Sequence, residues 1–339
     1  MPGVEALDIE TLFAPVATAK KLGLAISGGP DSLALMLRAH RWTQEGDRPA
    51  LGVYSVDHGL RPEAADEVAM VLREAERLGL AARGLRWEGD KPETGIQAAA
   101  RKARYRMMAK AMAADGAEML LTAHHLGDQA ETVLMRFAHG SGIDGLRGMD
   151  QIARVEGCDI VRPLLGIHPD DLAEIVSEAG LAAVADPSNR DRHYERVRWR
   201  QVLPSLEALG LELRRFGKFA ERMADATRLV EAAADAARLD LLEVRDDGHC
   251  RLPHGAFAAL NPLVGARLLG QLLETTSGDH RAAPLGALET LVARLGLLLP
   301  LKPTTLHGCV VASDGEAIDI VREGPRTADL KADRTLTAG

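Results

Sequence analysis

The stretch LAISGGPDSLA, Leu24–Ala34, places a Ser-Gly-Gly turn between a short apolar run and the start of a helical pattern. A strand that ends in glycines and opens a helix leaves backbone N–H groups exposed where the helix dipole attracts anions. Glycine permits the tight turn, and proline suits the first helical position because no N–H is needed there. The turn is therefore predicted to bind phosphate through Ser27, Gly28, Gly29, Pro30 and Ser32. The carboxylate of Asp31 inside this turn then requires an explanation.

Outward from this turn, apolar runs alternate with helical patterns through residue 179. Strands are predicted at 22–27, 50–58, 80–87, 118–125 and 159–165, and helices at 31–42, 64–78, 95–115, 128–139 and 169–179. Alternation of this kind predicts an α/β fold, with a parallel sheet that carries helices on both faces.

The second half of the chain has a different pattern. Residues 213–245 read as one long amphipathic helical stretch, and further helices are predicted at 255–275 and 284–296. The run TTLHGCVVASDGEAIDIV predicts two short strands around an Asp-Gly turn. We therefore predict an α/β domain at 1–210 and a smaller, mainly helical domain at 211–339. The long helical surfaces also permit a homodimer.

Composition excludes several classes of protein. The 339 residues carry a net charge of −8, so the chain is not a general binder of polyanions, and nucleic acid would need a local basic patch. The three cysteines form no Cys-x-x-Cys pair, which argues against a zinc site or a disulfide framework. We found no signal-like N-terminus and no long apolar run, which favours the cytoplasm and no membrane partner.

The glycine turn lacks the Gly-Lys-Ser/Thr of a Walker A loop and is not a G-x-G-x-x-G motif. The string SGGPDS instead resembles the loop of the N-type ATP pyrophosphatases, the PP-loop superfamily. That resemblance implies ATP as the cofactor, split between its α- and β-phosphates, with Ser27 to Ser32 holding the nucleotide. A carboxylate beside phosphates is repelled unless a cation stands between them, which predicts Mg²⁺ at Asp31.

The segment TAHHLGDQAETVLMRF, residues 122–137, supplies partners for Asp31. Asp128 and Glu131 are three residues apart on a predicted helix, and so lie on one face. Parallel strands end at one edge of their sheet, so this segment is expected near the glycine turn. The predicted metal ligands are Asp31, Asp128 and Glu131, with His124 and its neighbour His125 contacting phosphate or orienting the carboxylates. The alternative for this segment is an ordinary capped, solvated helix start.

Further motifs follow in order: VDHGLRPEAADE (56–67), ARKARYRMM (100–108), GSGIDGLRGM (140–149), RPLL (162–165) and DPSN (186–189). With SGGPDS and residues 120–137, this set resembles the tRNA(Ile)-lysidine synthetase family over about residues 20–205. The resemblance implies that ATP adenylates O2 of the wobble cytidine of tRNA(Ile) with anticodon CAU. Free L-lysine then attacks C2, expels AMP and gives lysidine. Asp31, Asp128, Glu131 and His124 are the catalytic candidates.

Two further candidates follow the second predicted strand, at the same edge of the sheet as the glycine turn. His58 and Arg61 are candidates for binding ATP, and Arg61 could equally contact tRNA. The alternatives are an ordinary strand-end histidine and a solvated loop arginine.

Two basic stretches are candidates for binding tRNA. Residues 190–200, RDRHYERVRWR, carry five arginines and two acidic residues, a local charge of +3. Arginines bind phosphates and aromatic rings stack on unpaired bases, so this composition suits an RNA loop. The candidates are Arg190, Arg192, Arg196, Arg198 and Arg200, with Arg101 and Arg104 in the second stretch. A salt-bridged helix face is the alternative, and Arg196-Val197-Arg198 departs from the family's Arg-Asn pattern.

The sequence alone leaves several other functions to be considered. Sulfur-transfer enzymes of the same superfamily need paired cysteines, GMP synthetase needs a glutaminase domain, and NAD synthetase would not need the basic stretch 190–200. Another amidating ligase or a non-catalytic nucleotide- or RNA-binding module completes the alternatives.

Overall fold

The computed structural model describes residues 8–89, 91–92, 94–184, 191, 193–245 and 249–324. The chain divides into two compact units, one of residues 1–140 with 145–222, the other of 141–144 with 223–339. The predicted boundary near Gly210 falls in the turn between α8 and α9. None of the helices in the described residues combines the length and apolar character needed to cross a bilayer.

The first unit is built on a six-stranded sheet with the order β3-β2-β1-β4-β6-β5. All neighbouring strands are parallel except β5, which pairs antiparallel with β6 at the edge. The strands are β1 (Lys21–Ala25), β2 (Ala50–Asp57), β3 (Ala81–Arg86), β4 (Met119–Leu121), β5 (Ile152–Val155) and β6 (Cys158–Val161). The predicted parallel sheet is confirmed, and β5 is an addition that the sequence pattern did not indicate.

Helices connect these strands. They are α1 (Ile9–Phe13), α2 (Pro30–Thr43), α3 (Ala64–Arg77), α4 (Ile96–Asp115), α5 (Leu126–Ala138), α6 (Ile143–Leu146), α7 (Pro169–Glu178) and α8 (Glu195–Ala208). Strand β4 ends four residues earlier than predicted, because His125 already caps α5 by accepting the backbone N–H of Gly127. The chain therefore leaves the sheet before the two histidines.

Separate apolar clusters cover the two faces of the sheet. One face packs against α2, α3 and α7, with Trp42, Leu33 and Leu172 among its fully buried side chains. The other face packs against α4 through Tyr105 and Met108. Helices on both faces bury both sides of the parallel strands, as such sheets require.

The second unit combines helices with a five-stranded antiparallel sheet of order β7-β8-β11-β10-β9. Its elements are most of α9 (Leu213–Leu241), then β7 (Glu243–Val244), β8 (Cys250–Pro253), α10 (His254–Ala258), α11 (Pro262–Ser277), α12 (Leu285–Leu295), β9 (Leu301–Leu306), β10 (Cys309–Ser313) and β11 (Ala317–Arg322). The hairpin of β10 and β11 around Asp314-Gly315 is confirmed. The helix predicted at 255–275 is interrupted, because Asn261 caps a new helix that begins at Pro262.

Gly23 provides a test of packing in the centre of the sheet. A Cβ there would lie 2.9 Å from Tyr54 Cε2. That ring is buried and its hydroxyl donates to Asp115 at 3.0 Å, so it cannot move aside. We expect Gly23→Ala to lower the free energy of unfolding by about 1–3 kcal/mol through overpacking.

The measurement is urea denaturation followed by tryptophan fluorescence, since all three tryptophans lie in the first unit. Gly166→Ala is the control, because a Cβ at that position meets no atom within 4 Å. Equal stability of the two variants would contradict the packing argument.

Candidate nucleotide-binding and catalytic site

The glycine turn joins the end of β1 to the start of α2. Gly28 has φ +88°, and a Cβ there would lie 3.1 Å from both Met70 and Val184. Its carbonyl also accepts the backbone N–H of Val184 at 2.9 Å. Both the left-handed backbone and the close packing require glycine at this position.

The start of α2 has the features expected of an anion site. Gly29 is its N-cap residue, Pro30 is its first residue, and no side chain caps it. The hydroxyl of Ser32 accepts the backbone N–H of Ser27 at 3.2 Å and donates to the carbonyl of Gly29 at 2.9 Å. The two serines brace the turn, and the helix dipole faces its concave side.

Asp31 lies close to the segment 122–137, which it approaches at His125. The Nε2 atom of His125 lies 3.5 Å from Asp31 Oδ2 and 3.6 Å from Asp128 Oδ2. Burial by itself lowers the pKa of His125, but the hydrogen bond and charges of the two aspartates outweigh it and raise the pKa. The tertiary structure therefore brings Asp31 and Asp128 to one imidazole, as predicted from the parallel sheet.

Glu131 has a different environment from the two aspartates. It is 1% exposed, and each carboxylate oxygen accepts a hydrogen bond from a different arginine of α8. Arg196 Nε donates to Oε2 at 2.7 Å and Arg200 Nε donates to Oε1 at 2.6 Å. The Nη2 atoms of both arginines also lie 3.4 Å from Asp128 Oδ1. The two acids are three residues apart on α5 and the two arginines are four apart on α8, so each pair lies on one face of its helix and each arginine can contact both acids.

This arginine clamp changes the interpretation of four candidate residues. Both oxygens of Glu131 are used, whereas Asp31 keeps 38% of its side chain exposed. Within the described residues, no three His, Cys, Asp or Glu side chains are arranged to hold a metal by themselves. Arg196 and Arg200 lie against acids, so at these two positions the salt-bridged alternative describes the geometry.

His124 follows β4 on the same edge. Thr122 Oγ1 lies 2.9 Å from its Nδ1 atom, which leaves Nε2 for other contacts. Burial lowers the pKa of His124 to about 3, against the opposing charge of Asp128. The imidazole is therefore neutral at physiological pH, which suits hydrogen bonding rather than charge neutralisation.

The residues after β2 have partners within the chain. Arg104 Nη2 lies 3.0 Å from His58 Nε2, and burial together with the charge of Arg104 lowers the pKa of His58 to about 4. Arg61 Nη2 donates to both oxygens of Glu67 at 3.1 Å. His58 follows β2 and so lies at the predicted edge of the sheet. Arg104, a candidate for binding tRNA, contacts this histidine within the chain.

The remaining basic candidates fall into three groups. Arg101 is exposed, with its guanidinium 5.1 Å from the centre of the Tyr105 ring. Arg198 is exposed and donates to the carbonyl of His193 at 3.2 Å. Arg190, Arg192 and the DPSN motif lie outside the described residues.

Sequence reasoning missed two features of this site. Gln129 bonds both the N–H and the carbonyl of Met149, at 2.7 and 3.1 Å, and so holds the end of the GSGIDGLRGM motif against α5. Arg162 is 5% exposed at the end of β6. Its place as the first residue of RPLL, directly after an apolar run, is the signal that could have assigned it to the sheet edge.

The chain has recognisable relatives among known proteins. Residues 4–206 match the model of a PP-loop domain family. The chain is 42% identical over 340 residues to a tRNA(Ile)-lysidine synthase from Rhodopseudomonas palustris, covering 97% of this chain and 98% of that protein. It is 40% identical to a tRNA(Ile)-lysidine synthase from Bradyrhizobium diazoefficiens, covering 94% of each chain.

A solved structure shares the fold. The U34-tRNA thiolase NcsA from Methanococcus maripaludis, with its [4Fe-4S] cluster, matches with a TM-score of 0.55 at 16% identity. The match covers 64% of this chain and 77% of that one. At this level of identity the likeness concerns the fold alone.

The arginine clamp generates a stability prediction. Glu131→Gln leaves two guanidinium groups around a neutral amide, so we expect the free energy of unfolding to fall by about 1–3 kcal/mol. Urea denaturation followed by tryptophan fluorescence measures it, because Trp199 lies on α8 between the two arginines. The control Glu221→Gln alters an exposed pair with Lys218 and should cost less than about 0.5 kcal/mol. A Glu131→Gln protein as stable as this control would contradict the clamp.

Proposed function

The chain belongs to the tRNA(Ile)-lysidine synthase family, so it is an ATP-using ligase that forms a carbon–nitrogen bond on tRNA(Ile), and we propose a role for each part of its site. The target is the wobble cytidine of the anticodon CAU, and the amine is free L-lysine. The observation that carries this proposal is the convergence of the 27–32 turn, Asp31 and Asp128 at one edge of the sheet.

The chemistry has two steps. In the first, O2 of the cytosine attacks the α-phosphorus of ATP and pyrophosphate leaves, with its charge held by the N–H groups of the turn. In the second, the ε-amine of lysine attacks C2 and AMP leaves with the former O2. A carbonyl oxygen is a poor leaving group, and adenylation turns it into a good one. The neutral His124 donates or accepts a hydrogen bond beside the reacting groups.

Magnesium fits part of the predicted donor set. This cation is usually held by one or two carboxylates together with substrate phosphates. Asp31 and Asp128 match that pattern, because Asp31 is partly exposed and both acids approach the same imidazole. When bound, Mg²⁺ would offset the negative charge of the phosphates beside Asp31. We assign Glu131 to holding Arg196 and Arg200, since it accepts their hydrogen bonds at 2.7 and 2.6 Å, whereas the same arginines lie 3.4 Å from Asp128.

The cysteines count against sulfur transfer. All three are buried, and Cys158 in the first unit points its thiol at the carbonyl of Tyr105, 3.7 Å away. Burial also raises the pKa of this thiol, which disfavours the reactive thiolate. The ligase reaction needs no thiol, so this environment is compatible with it.

The proposed activity has a direct assay. The full chain is incubated with a tRNA(Ile) transcript bearing CAU, ATP, Mg²⁺ and radiolabelled lysine, and label in the tRNA is counted. The control transcript carries a different wobble base. Label that appears equally in both transcripts, or in neither, would contradict the proposed function.

Asp31 is the sharpest test of the site. We expect Asp31→Asn to slow adenylation of tRNA by about 100-fold or more, because it removes a carboxylate that would hold Mg²⁺ beside the pyrophosphate. The dissociation constant for tRNA should change less than twofold. Asp66→Asn is the matched control, since Asp66 is an exposed first-turn acid of α3.

Titration with Mg²⁺ extends this test to the other acids. The half-maximal Mg²⁺ concentration should rise for Asp31→Asn and Asp128→Asn but stay near wild type for Glu131→Gln. A rise for Glu131→Gln as large as that for Asp31→Asn would reinstate Glu131 as a metal ligand.

We also propose that tRNA phosphates contact the exposed face of α8, and that residues 211–339 add further tRNA contacts. Arg198→Gln should reduce the slope of log K against log salt by about one unit, since one phosphate contact is lost. Filter binding at several salt concentrations measures this slope. Arg77→Gln, an exposed arginine paired with Glu74 on α3, serves as the control. Identical slopes for both variants would exclude Arg198 as a phosphate contact.

A further inference from the structure

Arg162 is a buried cation that forms no salt bridge with the residues the structure describes. Its side chain follows β6 and is 5% exposed. Nη1 donates to the backbone carbonyl of Asp150 at 2.6 Å, while Nε has no hydrogen-bond partner among the described residues. A buried guanidinium that lacks both a carboxylate and a full set of acceptors carries a substantial desolvation cost.

The surroundings of Arg162 supply only part of the negative charge that would balance it. The charge of Asp150 acts on Arg162, but the carboxylate of Asp150 is paired with Arg147 at 2.9 Å. Arg101, which stacks on the Tyr105 ring, adds further positive charge, and burial lowers the pKa of Arg162. Among the described residues, Arg162, Arg101 and Arg147 with Asp150 therefore carry an excess of positive charge at the end of β6.

The position of Arg162 connects the end of β6 to the proposed active site. The N–H of Thr122 donates to the carbonyl of Val161 at 3.0 Å, so Thr122 and Arg162 are neighbours at the ends of β4 and β6. Thr122 in turn bonds His124. The ring of His124 is acted on by the negative charge of Asp128 and the positive charge of Arg162. Arg162 is therefore linked through Thr122 to His124, at the sheet edge where the glycine turn also lies.

We propose that Arg162, assisted by Arg101, binds the carboxylate of the amino-acid substrate. This inference rests on the proposed function, because it assigns one end of the lysine that the ligation consumes. A free α-amino acid carries a carboxylate, and the guanidinium groups of Arg162 and Arg101 are complementary to it in charge.

Two other anions could in principle satisfy Arg162, and the geometry favours neither. The phosphates of ATP have their own cradle in the 27–32 turn, which follows β1 and not β6. A tRNA backbone needs exposed cations, whereas Arg162 is 5% exposed. A carboxylate on a small flexible molecule is the anion that best suits a buried arginine.

Cadaverine provides the test, because it is lysine without the carboxylate. The full chain, a CAU transcript, ATP and Mg²⁺ are used to measure kcat/KM for lysine and the inhibition constant of cadaverine against lysine. We expect Arg162→Gln to lower kcat/KM for lysine by about 10- to 100-fold, mainly through KM. The inhibition constant of cadaverine should change less than about threefold, since it has no group for Arg162 to bind.

Two further variants sharpen the result. Arg162→Lys keeps the charge and should recover part of the lysine affinity. Arg106→Gln alters an exposed arginine on α4 that pairs with Glu156, and this variant should match wild type.

The remaining outcomes would overturn the inference. Equal weakening of lysine and cadaverine would mean that Arg162 only supports the fold. A raised KM for ATP with lysine unaffected would assign Arg162 to phosphate, and a reduced salt slope of tRNA binding would assign it to the RNA backbone. These results all require an active wild-type enzyme, so a wild type that ligates no amine would instead mark the failure of the proposed function.

Discussion

The site depends on the parallel pairing of β1 with both of its neighbours. Leu24 lies opposite Val53 of β2 and opposite Leu121 of β4, so the three strands end at one edge. Residues separated by about one hundred positions in the sequence therefore share a site, as in other open parallel sheets. The close approach of β1 also explains the glycine at position 23, which faces the buried ring of Tyr54.

Charge at this edge is arranged in two parts. Asp128 and Glu131 are balanced by Arg196 and Arg200 across the contact between α5 and α8, and so this group is nearly neutral by itself. Arg162 at the end of β6 has no such balance. In the proposal above, the carboxylate of the amino-acid substrate supplies that balance.

The histidines of the chain show how burial sets their chemistry. His124 and His58 are kept neutral by burial, while His125 lies between two aspartates that raise its pKa. In the second unit, His254 is fully buried, yet both ring nitrogens have partners, Ser313 Oγ at 2.8 Å and the carbonyl of Leu295 at 2.7 Å. That histidine links β10 to the end of α12 and has the environment of a structural residue.

The sequence by itself determined the alternation of strands and helices, the glycine turn at Ser27 to Ser32, and the approach of Asp31 and Asp128 to one edge of the sheet. These follow from local patterns and from the rule that parallel strands end at one edge of their sheet. It did not determine that Glu131 binds two arginines, that Arg104 bonds His58, or that Arg162 is buried. Pairing between charged side chains depends on which helix faces are packed together, and the arrangement of α8 on α5 arises from apolar contacts such as Leu203 with Leu126. Only the tertiary structure brings such surfaces together, and it thereby decided which acids remain available to a ligand.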